Sequence, residues 1–483
     1  MKVKRVAQTR SALVRAALAT LVVAGSSWMG SATGHAAQSD IDPRRSLVIT
    51  EQPILERFPL QRVLDQLVAQ SGVPGLTSTA LFQQWWDTQN PTPGTVAGPH
   101  CGDEVDAAGQ PALNTFPYAC RPAPAEGGEV DSLPFPDTAS NPGAYVPIGR
   151  FNRFDLAPAD GSHCGEHRIV CARRSGIATG NNRNLLIFEA MLPNPHPGQG
   201  LKGCFRIAKF WADLTTESAL ARRAEALERF YFTGVANVPP VVHVNHFGSN
   251  ALGAGQIRTN QFMQTAASPT TWTLREFKLR RTCAGGACTA LTMVPVTDKE
   301  NPYGPLFGLT GSHPRLDAFQ QHFVSQVATL AAATVPDIAF SNPVDAYNSG
   351  QSQASGSDET IYQLGEAPSL LRSQLEAALA GLGSALTPDN IVARAQALSC
   401  AGCHRLSRNA DLGGGLVWPP SLGFTHVSER DTETVGGVTR FQISPALTDV
   451  FLPKRKQVLD DFMDDKPLNV RSPKSPIGGR RTH

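Results

Sequence analysis

The stretch Cys400-Ala401-Gly402-Cys403-His404 contains two cysteines separated by two small residues and followed directly by a histidine. One helical turn with this spacing presents both thiols to the same edge of a flat ring, with the imidazole on the same side. This is the pattern in which two thiols attach to the vinyl groups of a haem and the imidazole binds its iron. The pentad predicts one covalent haem c, attached through Cys400 and Cys403, with His404 as the proximal axial ligand.

Other interpretations of a C-x-x-C pair stay open at this point. Such a pair also occurs as a redox-active disulfide, as half of a zinc site or as two structural thiols. A redox-active pair follows a buried strand, whereas Ile391, Ala395 and Leu398 precede the pentad at helical spacing. Zinc needs two further ligands, and no second cysteine pair follows the pentad. These observations favour haem.

Residues from about 346 to 465 resemble the c-type cytochrome superfamily. The resemblance is carried by a helix that begins after Thr387 and delivers the pentad, by a Gly-rich loop, and by a closing helix over 452–463. It covers about 100 residues of 483, and the rest of the chain resembles no family known to us. The resemblance implies an all-α haem domain whose usual role is the transfer of single electrons.

The sixth iron ligand is where the chain departs from that superfamily. Many members place a methionine on the loop before the last helix, but no methionine lies between His404 and Phe451. The candidates are His426, which we favour, and Met463; their plainer interpretations are a surface-loop histidine and a core methionine. Bis-histidine ligation gives a low reduction potential, whereas an absent sixth ligand leaves iron open to peroxide or a small gas.

Residues 1–37 have the composition of a secretory signal peptide. A basic stretch ending at Arg15 precedes an apolar core over 16–29 and the small-residue sequence Gly34-His35-Ala36-Ala37. The sequence therefore predicts an exported protein, periplasmic or extracellular, which agrees with the attachment of haem c outside the cytoplasm. No later apolar run is long enough to span a bilayer.

The charge balance excludes one class of partner. Removing the five basic residues of the signal peptide from 43 leaves 38 Lys and Arg against 41 Asp and Glu, a formal balance of −3. Such a balance does not indicate nucleic-acid binding. We expect a redox partner protein or a small-molecule electron donor or acceptor instead.

Seven cysteines lie outside the pentad, and disulfides are their default state in an oxidising compartment. A Gly-Gly turn separates the two most closely spaced of them, which suits a bridge across a hairpin. We expect Cys171 to be left over as a buried thiol and three disulfides to form: Cys283–Cys288, Cys101–Cys120 and Cys164–Cys204.

The remaining patterns predict a multidomain α+β fold. It would have an N-terminal helical segment, a mixed α+β middle domain and a C-terminal all-α cytochrome c-like domain. The strands predicted in the middle include 241–246, which contains His243 and His246. The predicted boundaries are: signal peptide 1–37, helical segment and disulfide-stapled loop region 38–145, α+β domain of unknown role 146–345, haem domain 346–465 and disordered tail 466–483.

No catalytic residue stands out in the sequence. It contains no H-E-x-x-H zinc motif, no G-x-S-x-G nucleophile motif and no phosphate-binding loop. We therefore favour an electron-transfer protein over an enzyme. The alternatives are a haem-dependent oxidase or peroxidase with an open sixth position, and a haem-free secreted binding protein.

Overall fold

The structure is a computed structural model that describes residues 40–121, 133–263, 271–308, 313–354, 360–365 and 369–464. Contacts divide the chain into two units, Met1–Gln38 and Ser39–His483, and every described residue belongs to the second. The predicted boundaries at 145 and 345 fall inside this unit. The predicted signal peptide and disordered tail lie outside the described residues.

An antiparallel sheet dominates the fold. Its eight strands are β1 (Val48–Ile49), β4 (Tyr145–Arg153), β5 (His163–Arg173), β6 (Asn184–Pro193), β7 (Gln256–Met263), β8 (Thr271–Ala284), β9 (Ala287–Val296) and β10 (Ser352–Gln353). They pair in the order β1-β4-β5-β6-β7-β8-β10, with β9 pairing to the far end of β8. Two hairpins lie outside this sheet: β2 (Ala112–Leu113) with β3 (Phe116–Pro117), and β11 (Val427–Val435) with β12 (Val438–Ile443).

Helices surround the sheet, and their apolar faces are those expected from the sequence. None of the described helices combines the length and apolar composition needed to cross a membrane. The helices are Pro43–Ser46, Gln52–Leu55, Leu60–Ser71, Ser78–Asp87, Arg174–Ala178, Phe205–Asp213, Leu220–Phe232, Leu316–Ser325, Val327–Leu330, Leu370–Gly381, Pro388–Leu398 and Leu452–Met463.

The two faces of the sheet differ in chemistry because side chains alternate along each strand. One face, here called the apolar face, carries Ile169, Leu186, Phe188, Ile257 and Phe277, all buried. The ring of Trp85, from the helix Ser78–Asp87, packs edge-on against Phe188 and Phe277 at centroid distances of 6.0 and 5.8 Å.

The opposite face, here called the charged face, carries Arg168, Glu189, Arg258, Asn260 and Glu276. The strand register makes them neighbours, since Arg168 pairs with Glu189 and Arg258 pairs with Glu276. All five are buried. Buried charges are retained in proteins when they are paired, and these form ion pairs with one another.

The prediction of an all-α C-terminal domain, and with it the predicted fold class, is wrong. The chain between the pentad and the last helix forms the hairpin β11–β12, and Phe441 of this hairpin donates its N–H to Thr50 O at 3.0 Å. The two-residue turn Gly436-Gly437 has φ values of 58° and 79°, which suit a tight hairpin. The Gly-Gly pair is a turn signal that the predicted all-α domain did not take into account.

The strand predicted over 241–246 is also wrong. The chain there forms a short 3₁₀ turn, Val244–His246, after Pro239 and Pro240. Two prolines deprive the preceding backbone of N–H donors, and a turn follows in place of a sheet strand.

The disulfide predictions are confirmed. Cys171 is buried and lies outside them, and the three pairs are Cys101–Cys120, Cys164–Cys204 and Cys283–Cys288.

Candidate functional site

The pentad follows directly from the end of the helix Pro388–Leu398. This helix begins with a capping box in which Thr387 and Asn390 bond each other's backbone N–H groups. At its other end, Ser399 Oγ accepts the Gly402 N–H at 3.0 Å. A Cβ on Gly402 would lie 1.7 Å from Gln396 O, so a larger residue at this position would force the neighbouring backbone to shift.

Both cysteines of the pentad are buried against the charged face. Cys400 and Ala401 pack with Trp272 and Leu274 of β8 in a small apolar cluster. The Ala401 N–H donates to Ser352 Oγ of β10 at 2.9 Å. Neither cysteine belongs to one of the three disulfides. The pentad is therefore held by two strands that the sequence did not connect with it.

His404 is fixed by a hydrogen bond from its ring. Its Nδ1 lies 3.0 Å from Phe424 O, and a carbonyl oxygen can only accept, so Nδ1 carries the proton. Burial lowers the pKa of His404 to about 4, so the ring is neutral at pH 7. In a neutral ring protonated at Nδ1, the lone pair resides on Nε2.

The Phe424 carbonyl is itself held in place. Asn260 Nδ2 donates to it at 2.8 Å, and Asn260 Oδ1 accepts the Trp272 Nε1–H at 2.8 Å. Phe424 has a φ of 71°, a left-handed conformation that is rare for a bulky side chain and occurs mostly at functional sites. Its N–H returns to His404 O at 3.1 Å. The loop therefore holds His404 through two hydrogen bonds, one to its ring and one to its backbone carbonyl.

His426 lies beside His404. The ring centroids are 4.8 Å apart and their planes are tilted by 58°. His426 Nδ1 is hydrogen-bonded to Ser444 Oγ at 2.8 Å, and its Nε2 contacts Cys403 Sγ at 3.3 Å. Burial, followed by the nearby His404 and Arg455, holds the pKa of His426 well below its ordinary value of 6.5. The structure therefore brings Cys403, His404 and His426 together.

Both histidines line a small cavity of about 50 Å³ between the charged face and the C-terminal segment. This volume has room for a few water molecules and lies well below the range of pockets that hold small molecules and cofactors. Met463 packs against the main core, and it is not among the described residues that line the cavity. The apolar part of the lining comes from the sheet and the C-terminal segment: Phe151, Val170, Leu185, Ile187, Val427 and Leu447.

The charged part of the lining consists of Arg153, Arg168, Arg455 and Glu189. Arg168 Nη2 lies 3.2 Å from Glu189 Oε1. Burial, and then repulsion from Arg153, lowers the pKa of Arg455 well below its ordinary value of 12.5, and Asp155 partly opposes this. Each of these arginines has an acidic neighbour: Arg168 pairs with Glu166 at 2.6 Å, Arg153 pairs with Asp155 at 2.9 Å, and Arg455 lies 3.8 Å from Asp155.

The side chains of the pentad match a haem in kind, because two thiols and a neutral imidazole with its lone pair on Nε2 are the groups that such a ligand needs. The space does not match it in size, since the cavity is too small for a porphyrin and neither Cys400 nor Cys403 is among the described residues that line it. One contact opposes bis-histidine ligation, because Cys403 occupies the nitrogen with which His426 would bind iron. His426 becomes a sixth ligand only after this contact is broken. Among the described residues, no group of three or more His, Cys, Asp or Glu is arranged to hold a bare metal ion.

The other histidine pair and a second groove offer less chemistry. His243 and His246 have ring centroids 4.9 Å apart, but His246 Nδ1 is hydrogen-bonded to Val241 O at 3.1 Å. A wider groove of about 700 Å³ lies near the helix Gln52–Leu55, and neither cysteine nor histidine is among its described lining residues. Its Arg174 is paired with Asp137.

Sequence reasoning missed Asn260, Ser444 and the buried arginines that line the cavity, Arg153, Arg168 and Arg455. Each acts on a residue that is far away in the chain, and no spacing rule connects them. A signal existed in β7, where Arg258 and Asn260 alternate with Ile257, but this alternation is also typical of a strand with a solvent-facing side.

No protein-family model matches this chain, and comparison with curated proteins and with solved structures finds no match for it. The residues of the site are therefore the basis for inferring function.

Proposed function

We propose that this protein is an exported mono-haem c-type cytochrome that binds haem through Cys400 and Cys403 and transfers single electrons. The observation that carries the proposal is the hydrogen bond from His404 Nδ1 to Phe424 O at 3.0 Å. It leaves the lone pair of the neutral ring on Nε2, as a metal-bound histidine requires, and a second partner on the other ring nitrogen is typical of ligating histidines.

The position of the cysteines supports the same function. Cys400 and Cys403 are both buried, and Cys403 directly precedes His404. Three disulfides join the other cysteines except Cys171. Disulfides are also compatible with the periplasmic or extracellular location proposed from residues 1–37.

Each chain residue has a distinct role in this proposal. Haem supplies the one-electron couple of its iron. Asn260 and the Phe424 carbonyl hold His404 in one orientation, and the buried setting excludes water from the ring. Ser444 orients His426, the proposed sixth ligand. The electron would come from, or pass to, a redox partner protein or a small molecule.

A second candidate function rests on the contact between Cys403 and His426. If this contact persists beside a bound haem, His426 does not reach iron and the sixth position is open. The protein would then be an oxidase or peroxidase, with His426 as a proton-handling group near the open position.

The proposed function is tested by visible spectra of the exported protein, oxidised and reduced, with His404→Ala and His243→Ala as matched variants. Wild type and His243→Ala should show the sharp reduced bands of a six-coordinate c-type haem. His404→Ala should lose them, because His404 is the proximal ligand. Spectra without haem, together with the mass of an oxidised Cys400–Cys403 pair, would instead indicate a haem-free secreted protein.

Cyanide separates the two candidates. A six-coordinate electron-transfer haem leaves the ferric spectrum of wild type unchanged, and His426→Ala then makes it responsive. An immediate response in wild type, with no further effect of His426→Ala, indicates the oxidase or peroxidase.

A further inference from the structure

One buried ion pair holds the loop that carries His426. Arg183 lies directly before β6, and 8% of its surface is exposed. Its Nε lies 2.5 Å from Glu429 Oε1, and its Nη1 donates to the carbonyl of Gly423. Gly423 and Glu429 lie three residues before and three residues after His426. One guanidinium group therefore joins the two ends of this loop.

We propose that Arg183 is a positioning residue for His404 and His426, which it fixes through the turn at Gly423 and Phe424. The planar guanidinium group carries several donors in fixed directions, so it bonds a carboxylate and a carbonyl at the same time. The consequence for iron ligation rests on the proposed function, whereas the placing of the two rings is measured without haem.

The turn between Arg183 and His404 has a backbone that needs support. Gly423 and Phe424 have φ values of 70° and 71°, two left-handed residues in succession. This conformation is unfavourable for a bulky side chain and persists only where its surroundings hold it. Arg183 holds the carbonyl of Gly423, and Asn260 holds the carbonyl of Phe424 at 2.8 Å. The second carbonyl is the one that accepts the His404 Nδ1–H.

Arg183 is itself fixed to the sheet. Its carbonyl accepts the Phe262 N–H of β7 at 2.9 Å, and the ring of Phe262 packs edge-on against that of Phe424 at a centroid distance of 4.9 Å. The side chains of Arg183 and Glu429 are 10% and 1% exposed, so water screens their attraction little. The sheet therefore sets the place of the loop through this ion pair.

Loss of the turn would move a proton on His404. Asn260 Nδ2 lies 3.4 Å from His404 Nδ1 as well as 2.8 Å from the Phe424 carbonyl. If that carbonyl turns away, His404 Nδ1 loses its acceptor and faces an amide donor instead. The neutral ring then carries its proton on Nε2, which removes the lone pair from that nitrogen.

The test separates positioning from stability. The double variant Arg183→Met/Glu429→Leu removes both charges together, because removing one alone leaves the other buried without its partner. The matched control is Arg223→Met/Glu51→Leu, since Arg223 and Glu51 form another buried pair, at 2.8 Å, outside the loop over 423–429. Circular dichroism and the melting temperature show whether each protein is folded.

The readout is a long-range ¹H–¹⁵N spectrum of the histidine rings, recorded on the full chain produced without cytochrome c maturation proteins and therefore free of haem. It shows which ring nitrogen carries the proton, and His404→Gln assigns the signals of His404. We expect a single Nδ1–H form of His404 in wild type and in the control. Arg183→Met/Glu429→Leu should show a mixture in which the Nε2–H form appears, together with shifted signals of His426.

Two results would overturn the inference: an unchanged Nδ1–H form of His404 in the folded double variant, or the same mixture in the control. If the double variant does not fold, Arg183→Lys decides, because it keeps the charge beside Glu429 but offers a single nitrogen in place of the fork. It should show the mixture, and a spectrum like that of wild type would overturn the inference. Absence of haem from wild type produced with maturation proteins would overturn the proposed function, while the haem-free spectra would still decide the role of Arg183.

Discussion

The apolar face and the charged face of the same sheet are equally buried but are built for different purposes. Phe188 and Phe277 pack against Trp85 on the apolar face, where burial itself is favourable. On the charged face, Arg258 lies 2.7 Å from Glu276 and 3.4 Å from Glu189, each with 1% of its side chain exposed. Burying such ions costs desolvation that pairing barely offsets.

The contrast between the two faces indicates which one stabilises the fold and which one serves function. A fold that needed only stability could cover both faces with apolar side chains. Buried charge networks that border a cavity are instead typical of functional sites. We therefore infer that the apolar face holds the sheet in place, while the charged face serves the pentad, the two histidines and the cavity.

The largest expected effect is on the apolar face. Trp85→Ala removes a fully buried ring between two phenylalanines and should lower the free energy of unfolding by about 4 kcal/mol. Urea denaturation measures this free energy of unfolding. Phe205→Ala, at a ring that is 46% exposed, is the control and should stay within about 0.5 kcal/mol of wild type. Equal losses of stability in the two variants would contradict the claim that burial on the apolar face stabilises the fold.

On the charged face, Arg258→Met should cost about 3 kcal/mol, because it removes the closer cation of buried Glu276 and leaves Lys278, at 3.7 Å. The double variant Arg258→Met/Glu276→Leu should recover most of this loss, since it replaces an ion pair with apolar groups while Glu189 keeps Arg168. Chemical denaturation of the three proteins tests both statements. A double variant no more stable than the single one would show that the network is needed for the fold.

A histidine on the apolar face should make stability depend on pH. His167 accepts a hydrogen bond from Trp211 at 3.0 Å, and burial lowers its pKa from 6.5 to about 3. The unfolded chain binds this proton below pH 6.5 and the folded chain does not, so stability is full above that pH and is lost as pH falls. At pH 5 the loss from His167 is about 2 kcal/mol.

The measurement is the urea midpoint at pH 8 and at pH 5. His167→Gln retains an acceptor for Trp211 and should show a drop smaller by about 2 kcal/mol than wild type. The partly buried His163 and the buried His246, with pKa values lowered to about 4, continue to contribute in both proteins. An unchanged drop in the variant contradicts the neutral, buried state of His167.

The smallest effect concerns the turn of the pentad. Gly402→Ala places a methyl group against Gln396 O and should destabilise the protein by about 1–2 kcal/mol. Gly381→Ala, in the helix Leu370–Gly381 with open space around its Cβ position, should stabilise by about 0.5 kcal/mol. Thermal unfolding compares the two. A neutral Gly402→Ala would mean that the backbone around Gln396 relaxes.

Local signals predicted much of the molecule. The capping box at Thr387, the closing helix Leu452–Met463 and the hairpin around Cys283 and Cys288 all depend on neighbours within a few residues. Such interactions can be read from spacing and composition. These helices and the Cys283–Cys288 bridge were therefore predictable from local sequence, whereas the other two disulfides span 19 and 40 residues and no local rule fixes their partners.

Contacts between residues far apart in the chain could not be predicted from the sequence. β1 and β10 have two residues each, too few for a periodic pattern, yet they join the N-terminal and C-terminal parts to one sheet. The partners of His404 and His426, namely Asn260 and Ser444, depend on that assembly. The sequence predicted the two histidines, while the residues that orient them required the fold.

Covalent haem attachment is the most direct test of the account. The measurement is a pyridine haemochrome spectrum with intact mass, on protein exported in a host that has cytochrome c maturation proteins. We predict one haem per chain in wild type and in Cys171→Ser, whose thiol is buried away from the pentad, and none held covalently in Cys400→Ser/Cys403→Ser. Wild type without haem, carrying the mass of an oxidised Cys400–Cys403 pair, would contradict the central claim.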